Sequence, residues 1–414
     1  MSHVPALLDH LFRHSAGQMV ATLTRIFGPE HLGLAEEVVQ EALIAAMQQW
    51  SIAGPPENPQ AWLFQVARNR ALDQLRRDAN LRSKEPDVIT AFRERSQDDE
   101  PAFAHELRDD QLRMMLMCTH PSIPPESRVA LILKTVGGFS VDEIARAFLT
   151  KKETIAQRIV RAKRLIRDEH IPLELPSRGE LPQRVETLLD VIYLMFNEGY
   201  SAHAGEELVR HDLCAEAVRL GRALVEHPAT SLPASHALLA LMLMQAARLP
   251  ARIDAAGELA TLEEQDRGAW DQQMLAEGLR MLGGAASGDR LTPFHVEAAI
   301  ASVHAVAPSF EETDWRAIVD HYGTLLELKP TPVVALNRAI AVAMCDGAAA
   351  GIAAIESIAG HPALRDYLPL FATLGELWLR EGDRARATKY FSRALELPGS
   401  MPEKRLLLRK LSRS

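Results

Sequence analysis

Ser140 with Glu143, and Thr150 with Glu153, form two helix-start signals ten residues apart. In such a capping box the hydroxyl accepts a hydrogen bond from the amide three residues on. The carboxylate there returns one from the cap residue's own amide. Two starts this close leave room for one short helix, from Val141 to about Phe148-Leu149, then a tight turn and a second helix. Gly137-Gly138 breaks whatever precedes. In the second helix Ile155, Ile159, Ala162 and Ile166 recur at helical spacing and predict a buried stripe. Lys151, Lys152, Thr154, Gln157, Arg158, Arg161 and Arg164 are left for the other side. From Ile144 to Arg167 there are eight basic residues against one acid, Glu153. An aliphatic inner face with an Arg, Gln and Thr outer face suits a major-groove helix. Arg and Gln read base edges with paired hydrogen bonds, while Lys and Arg neutralise phosphates. The alternatives for such a face are a solvated basic helix and a docking surface for an acidic protein.

The rest of the chain is also helical in pattern, with almost no strand signal, so the expected fold class is all-α. At 414 residues it is too long for one ordinary helical domain. Apolar residues at 47% with aromatics at only 5% fit an Ala- and Leu-rich folded protein and exclude bulk disorder. Residues 1–82 read as three helices: Leu7 to Phe27, stopped by Gly28-Pro29; Leu34 to Trp50, stopped by SIAGPPENP; and Gln60 to about Arg82. Residues 83–108 read as an acidic linker, since Glu85 to Asp110 holds nine acids against three arginines. Residues 109–172 are helical again and carry the helix–turn–helix. From 181 to 414 come repeated helical runs.

Net charge is −9, of which −7 falls after residue 176, so the acidity lies mostly in the carboxy-terminal half. Cys118, Cys214 and Cys345 form no CxxC pair, which argues against a disulfide scaffold or a thiolate zinc site and for a reducing, cytoplasmic location. No leader pattern opens the chain, and no run approaches eighteen apolar residues, so no membrane association is expected. The histidines are scattered without metal-ligand spacing. No cofactor, metal or catalytic group is therefore expected.

Two amino-terminal helices carry polar faces of interest. In AEEVVQEALIAAMQQW, Ala35, Val38, Val39, Ala42, Ala46 and Trp50 make an apolar stripe, with Glu37, Gln40, Glu41, Ile44 and Gln48 opposite. In NPQAWLFQVARNRALDQLRRD, Leu63, Val66, Ala67, Leu72 and Leu75 are expected inside. Arg68, Asn69, Arg70, Asp73, Arg76 and Arg77 are expected outside. Trp62 is either core or a support for a stacked base, and Asn58 either a base-edge ligand or a plain turn residue.

These three segments, in this order, resemble bacterial sigma factors of the sigma-70 superfamily, extracytoplasmic-function type, over about the first 175 residues. The resemblance implies that AEEVVQEALIAAMQQW grips core RNA polymerase through Glu37, Gln40, Glu41, Ile44 and Gln48. It implies that NPQAWLFQVARNRALDQLRR melts and reads the −10 promoter element, and that the helix–turn–helix reads the −35 element. Asn58, Trp62, Arg68, Asn69, Arg70, Asp73, Arg76 and Arg77 would then serve the −10 element. Core polymerase and promoter DNA would be the partners, and chemistry would belong to the polymerase.

The carboxy-terminal segment resembles the tetratricopeptide-like extension of one subgroup. In its last part Gly375, Trp378, Gly382, Ala387, Phe391 and Ala394 have the small-and-large spacing of a helix–turn–helix repeat, and an earlier copy would run from Tyr322 into a helix near Val333. Asn197-Glu198-Gly199 reads as a helix stop with a glycine cap. The extension is expected to regulate the factor by contacting its DNA-binding half, the polymerase or another protein. Two other readings compete with the sigma factor: a helix–turn–helix regulator that does not join polymerase, and a helical-repeat scaffold.

Overall fold

The apolar run expected from Leu7 becomes one helix, α1 (Val4–Phe27), which ends where Gly28 turns to φ +99° and Pro29 follows. The computed structural model describes residues 4–81, 104–148, 150–200, 211–254 and 258–412, with side chains from 15 to 77 and from 108 on within those ranges. Among the described residues there are eighteen α-helices and no strand, only an isolated bridge between Ile253 and Leu259. The chain divides into two compact units, Met1–Ile192 and Tyr193–Ser414.

In the first unit α1 packs on α2 (Leu32–Ala53), and α2 on α3 (Pro59–Leu81). All six expected stripe residues of α2 are buried, and Leu43 joins them. In α3 the buried set is Leu63, Phe64, Ala67 and Ala71, whereas Val66, Leu72 and Leu75 are half-buried. The core-facing stripe of α3 therefore runs through Leu63, Phe64, Ala67 and Ala71, to one side of the line the spacing suggested. Most of the expected acidic linker lies outside the described residues. Its last part belongs to a helix, α4 (Ala104–Cys118), which packs on α1. Asp110 on α4 is 2% exposed and accepts from Arg25 Nε of α1 at 2.9 Å and from Arg113 at 3.1 Å. A buried carboxylate is tolerated only with such partners.

The helices α5 (Pro125–Thr135), α6 (Val141–Ala147) and α7 (Lys152–Asp168) complete the helix–turn–helix region. They do not stand apart from the first three. A Cβ added to Gly17 of α1 would lie 2.1 Å from the carbonyl oxygen of Val136, just after α5. Lys163 of α7 reaches Glu36 of α2, Nζ to Oε2 2.5 Å. Gly17→Ala should thus lower the stability of this unit by about 2 kcal/mol, since overpacking against backbone outweighs the roughly 1 kcal/mol by which alanine favours a helix. A denaturant titration showing equal or greater stability would remove the close approach.

The helix α8 (Leu181–Tyr200) runs through Asn197-Glu198-Gly199, so the expected glycine cap is not formed. Gly199 is instead buried in the helix, where a Cβ would come within 2.8 Å of Leu213 and 2.9 Å of Cys214. The glycine serves the approach of α9 (His211–Glu226), not a chain reversal.

The second unit continues through α10 (Pro233–Ala246), α11 (Gln272–Ala285), α12 (Pro293–Val306), α13 (Trp315–Leu328), α14 (Pro332–Asp346), α15 (Ala348–Glu356), α16 (Leu368–Arg380), α17 (Arg384–Glu396) and α18 (Met401–Leu411). Each of these helices contacts the next one along the chain. In the α16–α17 pair Gly375 admits the Phe391 ring, Ala387 and Ala394 are fully buried, and Gly382 makes the turn at φ +81°. The Trp378 ring is covered by Arg386, 4.1 Å from its centroid. The earlier copy is the α13–α14 pair, whose second helix is capped by Thr331.

Candidate nucleic-acid interface

The helix–turn–helix forms locally from its caps. Glu143 N donates to Ser140 Oγ at 3.2 Å and Ser140 N to Glu143 Oε2 at 2.8 Å, the first expected capping box. The second box does not form. The cap of α7 is Lys151, whose side chain accepts nothing, and Glu153 falls at the second helical position. The helix begins one residue later than the Thr150 register because the chain leaves α6 through a tight turn in which Thr150 N bonds Ala145 O at 3.0 Å. Glu153 still lies in the first turn, where its charge favours the helix dipole. Lys152 Nζ contacts Asp142 Oδ2 at 2.8 Å and links α7 to α6.

The inner stripe of α7 is Ile155, Ile159, Ala162 and Ile166, all buried, as the spacing predicts. On the outer side Lys151, Gln157 and Arg161 are exposed, and Thr154 and Arg158 half-buried. No ion pair engages Lys151, Arg158 or Arg161 among the described residues. Arg164 is exposed but bonded to Asp168 at 3.1 Å. Four polar groups, Lys151, Gln157, Arg158 and Arg161, are thus presented without a carboxylate to give up, while Lys152 and Arg164 must exchange one. Such exposed pairs are worth little, and a phosphate replaces them readily. Val160, 64% exposed on the same helix, was not singled out by the sequence reading. An apolar residue off the buried stripe is the signal, and a thymine methyl is a surface it could meet.

In α2, Glu37, Gln40, Ile44 and Gln48 are exposed and Glu41 half-buried. Met47, 59% exposed, joins Ile44 in an apolar patch on this face and was also missed by the stripe argument. Glu41 bonds Arg70 of α3, Oε2 to Nη1 2.5 Å. One residue expected to meet polymerase and one expected to meet DNA therefore hold each other.

The start of α3 is set by Asn58, whose Oδ1 accepts from Ala61 N at 3.1 Å. Asn58 is exposed, and beyond the cap bond its amide nitrogen can still donate and its oxygen accept once more. Trp62 is half-buried and leans on the buried Trp50, ring centroids 5.4 Å apart and tilted by 60°. Further along α3, Asn69, Asp73 and Arg77 are exposed and Arg68 and Arg76 half-buried. Arg76 pairs with Asp73 at 3.3 Å, and Arg77 Nε donates to the Asp73 carbonyl at 3.3 Å. No group of three or more His, Cys, Asp or Glu able to hold a metal occurs among the described residues. Nor is any helix among them long and apolar enough to cross a membrane.

Comparison with known proteins gives three family matches. Residues 11–80 match sigma-70 region 2, and residues 113–166 match sigma-70 region 4. Residues 184–286 match a family of unknown function. An uncharacterized protein of Rhizobium meliloti is 40% identical over 93% of this chain and 90% of its own length. The ECF RNA polymerase sigma factor SigE of Mycolicibacterium smegmatis is 28% identical over 39% of the chain and 60% of its own. A probable ECF RNA polymerase sigma factor, SigI of Mycobacterium tuberculosis, is 26% identical over 49% of the chain and 72% of its own. No solved structure matches.

Proposed function

The chain belongs to the extracytoplasmic-function sigma-70 factors that carry a helical carboxy-terminal extension, and on that premise we propose how its parts divide the work of initiation. The exposed face of α2, Glu37, Gln40, Glu41, Ile44 and Gln48 with Met47, docks on core polymerase, which also places the chain in the cytoplasm. The α7 face, led by Gln157, Arg158 and Arg161, reads the upstream element in duplex DNA. The start of α3 handles the opened strand. Asn58 offers its amide nitrogen to an extruded base, Trp62 gives a fixed aromatic surface, and Arg68, Arg70, Arg76 and Arg77 hold phosphates, with Asn69 and Asp73 among them. Unstacking a base costs a few kcal/mol, and these contacts must offset it, since no covalent chemistry is asked of the chain. The observation that carries this reading is α7: four aliphatic residues inward, an unpaired Gln and Arg face outward, held by a capped preceding helix.

Elements named −10 and −35 lie about 85 Å apart along straight duplex at ~3.4 Å per base pair. With Lys163 on Glu36, α7 and α2 touch. The packed first unit therefore has to part before both elements are engaged.

Reconstituted transcription with sigma-free polymerase tests the assignment: the chain should release transcripts from specific start sites. A regulator that does not join polymerase could not, and absence of both association and initiation would overturn the reading. The extension is assigned a regulatory role on its covalent attachment and its net charge of −7. Free chain should accordingly bind promoter fragments weakly, and polymerase should bring the affinity out. Tight, sequence-specific anisotropy changes with the isolated chain would contradict this.

A further inference from the structure

The second unit contains a cavity that promoter recognition does not use. Its volume is about 570 Å³, within the span of sites that hold metabolite-sized ligands. Ile300, Leu325 and Val334 give it apolar wall, and Arg248, His304 and Glu297 give it charge and polarity.

The charge at this cavity is not balanced. Arg248 is half-buried, and burial lowers its pKa below the usual guanidinium range. Its Nε meets only the Gln265 amide oxygen, at 3.4 Å, and its guanidinium lies 5.5 Å from the Trp270 ring centroid. No carboxylate pairs with it among the described residues. The neighbouring cations are held by neutral groups too. Arg252 donates to the Tyr200 carbonyl at 2.6 Å and covers that tyrosine's ring at 4.1 Å. Arg267 donates to the carbonyls of His304 and Ala307 at 2.5 and 2.7 Å. His304, lining the cavity, has a buried Nδ1 with no hydrogen-bond partner among the described residues. Burial, with Arg248 and Arg267 nearby, pushes its pKa down to about 4, so the ring is neutral and carries one N–H to donate. The carboxylate in the wall, Glu297, is already engaged: the Tyr193 hydroxyl donates to it, and Lys329 Nζ lies 3.3 Å away.

A half-buried cation without an anion is costly, and an anionic guest relieves that cost. We infer that this cavity binds a small organic oxyanion, its carboxylate or phosphate on Arg248 and its carbon skeleton against Ile300, Leu325 and Val334. A guanidinium takes either group through two parallel hydrogen bonds. The extension then carries a chemical input of its own, independent of how the amino-terminal helices read a promoter.

Fluorescence titration of the full chain with anilinonaphthalene sulfonate tests this, because the dye joins an oxyanion to two aromatic groups. Saturable binding is expected, at least about tenfold weaker in Arg248→Met, where the charge-assisted fork is lost. Lys329→Met, at an exposed side chain on the cavity rim, should weaken it about threefold. Arg222→Met should leave it unchanged, since that guanidinium pairs with Glu277 at 2.7 Å elsewhere in the extension. The uncharged analogue phenylnaphthylamine should bind at least about tenfold more weakly than the sulfonate. Displacement by phenylacetate identifies a carboxylate site, and displacement by phenyl phosphate a phosphate site. The inference is overturned if neither acid displaces the dye, if charged and uncharged dyes bind alike, or if Arg248→Met keeps full affinity. Should circular dichroism show that Arg248→Met does not fold, unchanged affinity in Lys329→Met overturns it instead.

Discussion

Replacing Arg158 and Arg161 together by alanine lowers initiation from a promoter with an intact upstream element by about a hundredfold, the equivalent of roughly 3 kcal/mol for two base-directed guanidinium groups. Neither arginine has an ion pair to lose among the described residues, and neither belongs to the buried stripe of α7. The double variant should therefore fold and melt like the parent. On a template whose upstream element is randomised, parent and variant should give equal output, since the contacts removed no longer discriminate. Run-off transcription over the four combinations of protein and template forms a thermodynamic cycle. A variant equally weak on both templates would mean that the arginines hold phosphates, or support the fold or polymerase docking, and do not read bases. Full activity on both would leave the helical-repeat scaffold as the better description.

Lys163→Glu should have the second large effect, of opposite sign. Glu36 is 8% exposed as a residue, and its Oε1 is buried with no partner among the described residues, so Lys163 is its ion-pair partner in this contact. A second carboxylate there replaces attraction by repulsion in a partly dry contact. The packing of α7 on α2 should weaken by about 2 kcal/mol, roughly a thirtyfold shift towards separated halves. Fluorescence transfer between dyes on α2 and α7 reports the separation. Affinity for core polymerase should rise, because less free energy is spent on parting the helices. The swap Glu36→Lys with Lys163→Glu should restore both readings towards the parent. Unchanged transfer in the single variant would show that the contact does not hold the unit closed.

Local features of the fold were the legible ones. The stripes of α2 and α7 and the Gly375–Phe391 fit depend on spacing within one helix or one helix pair, and all appear in the structure as expected. The second capping box failed because the motif allows more than one register and the turn from α6 chose the later one. Gly199 was misread because a glycine beside a polar pair looks like a cap, and only the neighbouring helix reveals that space was the requirement. Met47 and Val160 are apolar residues beside the buried stripes, and spacing alone does not tell such a residue's exposure. Contacts such as Lys163 with Glu36, 127 residues apart, leave no trace in periodicity. The Arg248 cavity draws on α8, α10, α12, α13 and α14, and no short motif announces it.

The bond between Glu41 and Arg70 has a consequence for the order of assembly. On the proposed assignment, each side chain serves as a placeholder for the other's eventual guest. When polymerase claims the acid, the arginine is freed for nucleic acid, and when a phosphate claims the arginine, the acid is freed for polymerase. Linkage makes this help reciprocal, so a single salt bridge can make two unrelated macromolecules prefer to arrive together.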